Sequence, residues 1–132
     1  MRRAPRIKSQ KGRSGVASKP VTFETVRQLA QALPGTEEGT SYGTPAFRVK
    51  GKLFIRLRED GDSLVVRVDH HERELLMAAN PKAFFITDHY RDYPMMLVRL
   101  STVRLAELRA LLEDSWRRVA PKRLITAHDA QS

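Results

Sequence analysis

The stretch from Pro45 to Asp69 constrains the fold more than any other part of this 132-residue chain. Its apolar residues recur at every second position in three runs, AFRVK, KLFIRLR and SLVVRVD. This period is typical of half-buried strands. Between the runs, Lys50-Gly51 and the segment 59–62 carry the glycines that tight hairpin turns favour. The sequence therefore predicts an antiparallel meander with one apolar face.

The alternation also divides these side chains between two faces, because neighbouring residues of a strand point to opposite sides. The apolar set is predicted to face the helices: Leu53, Ile55, Leu57, Leu64, Val66 and Val68. The other set, with one residue from a later strand, is predicted to point outward: Arg48, Lys50, Lys52, Phe54, Arg56, Arg58, Arg67 and Arg99. Cations beside an aromatic ring suit phosphate groups and a stacked base, so this second set is the candidate nucleic-acid surface.

Two alternatives stay open for this surface. Charges on an open sheet face can be simply solvated, and they also discourage pairing between sheet edges. Phe54 can instead lie beneath a loop or against a second subunit.

Helical patterns flank the meander on both sides. Thr22 is predicted to cap a first helix that ends at Pro34-Gly35, and Asp69 to Glu72 has the capping pattern of a second helix. The other predicted elements are a loop over 36–44, a strand over 83–87, a loop over 88–93, a strand over 94–100, and a last helix that Ser101 or Thr102 caps and Pro121 ends. The order α-β-β-β-α-β-β-α predicts an α+β domain whose antiparallel sheet carries its helices on one face.

The positive charge of the chain is concentrated at its N-terminus. The net charge is +9, and residues 1–19 hold seven of the 24 basic residues and no acid. The remainder, with 17 basic and 15 acidic residues, is nearly balanced. We expect a disordered basic arm over 1–20, one α+β domain over 21–124 and a flexible tail over 125–132. A solvated extension and a nucleic-acid-binding arm both fit the composition of the arm.

The sequence lacks the residues that several kinds of functional site require. The absence of cysteine excludes disulfides and thiolate catalysis, and no apolar run approaches the roughly 20 residues of a membrane span. His70 and His71 are adjacent and make a poor chelating pair, while His89 has no nucleophile at a recognisable spacing. We therefore expect no membrane partner, no metal, no cofactor and no catalytic residue.

Four segments, by their order and spacing, carry a resemblance to a known family. They are the helix end Leu33-Pro34-Gly35, the hairpin from Phe47 to Phe54, the segment from His89 to Leu100, and Ser115-Trp116-Arg117-Arg118-Val119 followed by Pro121-Lys122. Together they resemble the YjbR/MmcQ-like family of small bacterial proteins over about residues 22–124. The resemblance implies a fold similar to that of bacterial frataxin and a DNA-binding role. Iron binding is not carried over, because the first helix here has a single acid, Glu24.

These observations lead to one expected function and one alternative. We expect a cytoplasmic, non-enzymatic protein that binds nucleic acid, DNA by the label of the family, through the cationic sheet face and the basic arm. The alternative is a small-ligand or protein-interaction module that uses the loops at 40–44 and 88–93.

Overall fold

The computed structural model describes residues 20–131. Within this range the chain forms α1 (Phe23–Gln31), β1 (Thr36–Ser41), β2 (Thr44–Val49), β3 (Lys52–Leu57), β4 (Ser63–Arg67), α2 (His70–Ala79), β5 (Phe84–Phe85), β6 (Met95–Arg99), α3 (Leu105–Arg117) and α4 (Lys122–Ala130), with a 3-10 turn at Asp88–Tyr90. The predicted arm, apart from Pro20, lies outside the described residues.

The six strands of this region form one antiparallel sheet in the order β1-β2-β3-β4-β6-β5. One face of the sheet, the inner face, supplies residues such as Phe47, Ile55 and Val66 to a single apolar core. All four helices pack apolar side chains against the same core. The prediction of an α+β fold with the helices on one face is therefore confirmed, and no helix of residues 20–131 lies on the opposite, outer face. The likeness to frataxin stays a prediction.

The ends of the first two helices follow the predicted capping chemistry. The hydroxyl of Thr22 accepts a hydrogen bond from the backbone N–H of Thr25, and the carboxylate of Asp69 accepts one of 2.7 Å from Glu72. The last long helix begins later than predicted. Ser101 and Thr102 are engaged elsewhere, because their hydroxyls donate to Asp62 and to the carbonyl of Lys82.

Two elements lie where the sequence predicts none. The predicted loop at 36–44 is mostly strand β1, whose sequence TEEGTS has no apolar alternation because β1 is an exposed edge strand. It pairs with β2 along its length, and Glu38 binds Arg27 and Gln31 of α1. The predicted tail from 125 is, as far as residue 130, part of α4, whose Ile125 packs on the core. The strand predicted over 83–87 is reduced to Phe84–Phe85.

A β-bulge in β3 changes the predicted faces of the meander. Phe47 lies opposite Ile55, but Arg48 lies opposite Leu53, so Phe54 is an extra residue in β3. Phe54 consequently turns to the core, where it is 1% exposed. Leu53 shares the outer face with Arg48, since opposed residues of a pair lie on one face. The predicted orientations of Leu53 and Phe54 are therefore wrong.

A buried hydroxyl on α3 holds the sheet together next to this bulge. The ladder between β3 and β4 covers Ile55 to Leu57 and stops before Phe54. There the Ser115 hydroxyl donates to the carbonyl of Phe54 at 2.6 Å and accepts from the N–H of Arg67 at 2.9 Å. Ser115, with 0% exposure, thus takes the place of a ladder hydrogen bond.

Replacing Ser115 with Ala should lower the free energy of unfolding by about 2 kcal/mol or more, because it leaves the buried carbonyl of Phe54 and the part-buried N–H of Arg67 without this partner. Urea unfolding of both variants measures this, with Ser101→Ala as the control. Ser101 is exposed, and Ser101→Ala removes one hydrogen bond to Asp62. This variant should therefore lower the free energy of unfolding by less than about 1 kcal/mol. Equal costs for the two variants would contradict the bridging role of Ser115.

Candidate functional site

One transverse line of residues, here called the central row, crosses the outer face of the whole sheet. Its members lie opposite one another from strand to strand: Gly39, Ala46, Arg56, Val65, Leu97 and Phe85. Ala46, Val65 and Leu97 are 0%, 5% and 0% exposed, yet they lie outside the core that the helices cover. The outer face therefore has a thin apolar layer of its own.

Four arginines, one from each of the neighbouring strands β2, β3, β4 and β6, lie along this face. Each donates a hydrogen bond sideways to a backbone carbonyl: Arg48 to Thr40 at 3.0 Å, Arg56 to Ser41 at 3.3 Å, Arg67 to Leu53 at 2.6 Å and Arg99 to Lys82 at 2.6 Å. A side chain that reaches along the sheet to a neighbouring backbone carbonyl lays its aliphatic part over the sheet surface. These lateral arginines thereby shield the central row, which no helix covers.

Three of the lateral arginines keep their charge without a carboxylate partner. Arg48, Arg67 and Arg99 have no ion pair within the described residues, whereas Arg56 binds Glu59 at 2.7 Å. The guanidinium of Arg99 also lies 4.2 Å from the ring centroid of Phe85. All three are half-buried, so each still meets solvent.

Arg56 is not the solvent-exposed cation that the alternation predicts. It is 8% exposed, and its guanidinium lies 5.2 Å from the ring centroid of Tyr42. A hydrogen bond from its own backbone N–H, together with the charge of Arg56, lowers the pKa of Glu59. Glu59 is therefore ionised at neutral pH and neutralises Arg56. The prediction of a solvent-facing Arg56 is wrong, because the β1–β2 turn covers it.

The remaining predicted residues lie at the ends of β3 or in the core. Lys50 and Gly51 both have positive φ, 51° and 80°, which makes the two-residue turn the type that fits a twisted hairpin. Lys52 lies opposite Val49, an inner-face residue, so it belongs to the hairpin tip instead of the outer face. Both lysines are exposed and have no hydrogen bond or ion pair among the described residues. Phe54 is in the core and cannot stack on a base.

Arg58 follows the last residue of β3 and is half-buried. Its charge contributes to the lowered pKa of both Glu59 and Asp60, although hydrogen bonds from backbone N–H groups are the larger cause in each case. Because Glu59 already neutralises Arg56, Asp60 is the nearby carboxylate that offsets the charge of Arg58, which therefore adds little to the field of the outer face.

The start of α4 adds two cations near the hairpin tip. Gly35 has φ of 74°, and a Cβ on it would lie 2.8 Å from Leu124 and 3.5 Å from Val49. The end of β2 and the first turn of α4 therefore meet at Gly35. Exposed cations flank this meeting point on both elements, and we call them the hairpin-end cations: Lys50, Lys52, Lys122 and Arg123. The last two were missed because α4, the helix that holds them, was not predicted; Leu124, Ile125 and His128 at helical spacing were the available signal.

The two loops of the alternative function lie at opposite edges of the sheet. The turn at Tyr42 and Gly43 joins β1 to β2, while the segment 88–93 joins β5 to β6, and the other strands separate them. They cannot line one pocket. The second loop is nevertheless well fixed, because Arg73 donates to the carbonyls of Tyr90, Arg91, Tyr93 and Met95. Arg73 is 6% exposed, and its position in the polar sequence HHERE concealed this role.

A family comparison agrees with this architecture. The YjbR family model matches residues 31–118, which is more than half of the chain. The chain belongs to the YjbR family. An uncharacterized protein of Mycobacterium bovis and one of Mycobacterium tuberculosis are each 38% identical to it over 73 residues, 54% of this chain and 57% of the relative. The match thus spans just over half the length of these relatives.

A solved structure shares the fold of this YjbR-family chain. The crystal structure of a Deinococcus radiodurans protein of the DUF419 domain family superposes with a TM-score of 0.65 at 25% sequence identity. The superposition covers 75% of this chain and 79% of the other. The shared region includes most of the sheet and its helices.

Metal-ligating side chains are scattered in this YjbR-family domain. Residues 20–131 contain no group of three or more His, Asp or Glu side chains that could hold a metal ion. His70 and His71 are exposed in the first turn of α2, and His89 contacts the rings of Tyr90 and Tyr93. None of the helices in this part of the chain is long and apolar enough to cross a membrane.

Replacing Arg56 with Glu should destabilise the domain by about 2 kcal/mol or more, because it buries an anion beside Glu59 and removes the bond to Ser41. Arg58→Glu is the matched control, since it makes the same charge change two residues away on a half-buried side chain. Arg58→Glu should lower the free energy of unfolding by less than about 1 kcal/mol. Thermal unfolding of both variants measures the difference, and an equally stable Arg56→Glu would show that Tyr42 does not cover this site.

Proposed function

We propose that this YjbR-family protein binds nucleic acid through phosphate contacts and catalyses no reaction. The observation that carries the proposal is the pairing of Arg48, Arg67 and Arg99 with backbone carbonyls. Elsewhere in the described region, arginines such as Arg27 and Arg117 pair with carboxylates. Arginines that keep their full charge on a helix-free face attract polyanions, whereas arginines in ion pairs do so weakly.

The carbonyl bonds also prepare these arginines for phosphate. A guanidinium has five N–H donors, so one bond to a carbonyl leaves others free. The bond fixes the orientation of the planar group, which reduces the side-chain entropy lost when it binds a phosphate. One fixed guanidinium on each of three strands suits a chain of phosphates better than a single base, and sequence preference is not expected from such contacts.

The hairpin-end cations and the basic arm extend this surface. Lys50 lies in the two-residue turn and Lys52 directly follows it, and the arm adds seven cations without an acid. Because the rest of the chain has 17 basic and 15 acidic residues, the arm supplies most of the long-range attraction. The fixed cations of the domain then provide the short-range contacts.

The alternative, a protein-interaction module, has support from one loop. Tyr93 is 52% exposed beside His89, and Arg73 holds the loop that carries both. A rigid loop with an exposed aromatic side chain is a common anchor for a protein partner. This role belongs to the 88–93 loop alone, since the 40–44 turn lies at the other edge of the sheet.

Fluorescence anisotropy of the full chain with DNA and RNA oligonucleotides across a salt series tests the proposal. Arg48→Glu should weaken binding severalfold and reduce the slope of log affinity against log salt by about 1, because one phosphate contact is lost. Arg109→Glu, on the exposed helical side, makes the same charge change and should alter the slope little. Equal effects would mean that net charge alone matters. Absence of binding at low salt would overturn the proposal and favour the interaction module.

A further inference from the structure

A groove runs between α2 and α3 on the helical side, opposite the nucleic-acid surface. Its volume is about 440 Å³, and Leu76, Phe84, Ala110 and Leu111 form its apolar part. Three carboxylates, Glu72, Glu107 and Asp114, line it together with a single cation, Arg118. An apolar groove with an acidic margin fits a basic segment that carries a few apolar residues.

The chain itself contains one segment of this chemistry. Residues 1–19 have seven Arg or Lys side chains, no acid, and isolated apolar residues such as Ile7 and Val16. No stretch of comparable charge occurs in the folded part, where basic and acidic residues are nearly equal in number. We propose that the basic arm docks intramolecularly in the groove between α2 and α3.

The point at which the arm joins the domain favours this location. Pro20 and Val21 line a concavity together with residues 100–105, directly before α3. Glu107, in the first turn of α3, is the nearest carboxylate of the groove along that helix. The arm therefore reaches the domain at the end of α3 where the groove begins.

The arm is long enough to follow the groove. From Glu107 to Arg118 the helix rises about 17 Å, which about six extended residues span. Crossing the end of α3 requires about 10 Å, or about three more residues. The 19 residues before Pro20 exceed this sum, and the tether gives the arm a high effective concentration at the groove, so modest contacts suffice.

Glu72 is the carboxylate most available to the arm. Glu107 already accepts hydrogen bonds from Arg104 and Asn80, and Asp114 binds Arg118. The side chain of Glu72 has no hydrogen bond or ion pair among the described residues and is exposed. The contact between the arm and the groove should therefore depend on Glu72 more than on its neighbours.

Spin-label distance measurements on the full chain test this docking without nucleic acid, so their outcome is separate from that of the proposed function. The chain has no cysteine, and Ser9→Cys with Leu75→Cys places one label on the arm and one on α2 beside the groove. We expect a short-distance population at low salt that 1 M sodium chloride abolishes, because salt screens the charges.

The deciding comparison uses two charge reversals on the same helix. Glu72→Lys should reduce the short-distance population by about threefold or more, whereas Glu74→Lys, an exposed residue outside the groove, should leave it unchanged. Circular dichroism and thermal unfolding confirm that both variants are folded. Equal populations in the two variants would overturn the proposal. So would loss of the short distance on dilution with unlabelled protein, since the arm of a second copy would then occupy the groove.

Discussion

The geometry of the sheet depends on one buried hydroxyl group. Ser115 of α3 joins the carbonyl of Phe54 to the N–H of Arg67 where the ladder between β3 and β4 ends. The next residue, Trp116, is also buried and donates its ring N–H to the carbonyl of Pro34 at 2.9 Å. Two consecutive residues of α3 thus fix the helix to the sheet and to the end of α1. A shift of this helix would leave three backbone groups without these partners, one of them buried and two part-buried, so the bulge and the helix position stabilise each other.

The bulge also determines the chemistry of the outer face. Because β3 leaves the ladder at Phe54, the carbonyl of Leu53 is free to accept from Arg67 across the gap. The guanidinium consequently has a neutral partner and keeps its net charge at the surface. On the helical side Arg117 and Arg118 pair with acids, whereas Arg73 is buried and donates only to carbonyls of the 88–93 loop and of Met95. Although the charge of residues 20–132 is almost balanced, three arginines on the outer face therefore keep their charge without a carboxylate partner among the described residues.

Periodicity predicted the strands whose pairing is regular and failed where a distant contact decides the geometry. Alternation placed Ile55, Leu64 and Val66 correctly in the core. It failed at Leu53 and Phe54 because the bulge is held by a hydroxyl 61 residues away, which no local pattern reveals. Edge strand β1 was not predicted, because backbone pairing and the contacts of Glu38 stabilise it without an apolar alternation. Helix α4 was not predicted, because few of its residues are apolar.

The candidate site shows the same limit. The alternation placed Arg48, Arg67 and Arg99 on the outer face, but whether a guanidinium finds a carbonyl or a carboxylate depends on neighbouring strands and turns. Arg56 meets Glu59 in the turn that follows its own strand, and Tyr42 in a turn that only the pairing of β2 with β3 brings near. The contribution of Lys122 likewise depends on Gly35, whose missing side chain lets α4 approach β2.

The two binding modes proposed for the basic arm exclude one another, and their charges determine which mode prevails. The groove offers three carboxylates, whereas a nucleic-acid strand offers a phosphate about every 3.4 Å along its axis. The seven cations of the arm can therefore form more ion pairs on a polyanion than in the groove. Docking in the groove is intramolecular, however, so the docked fraction does not decrease on dilution. Because docking neutralises fewer charges, its strength falls less steeply with salt concentration. Dilute conditions therefore favour the docked arm, and a high local concentration of phosphate favours its release. Because the groove and the lateral arginines lie on opposite sides of the domain, release of the arm would add its charge to the face that we propose to bind the polyanion.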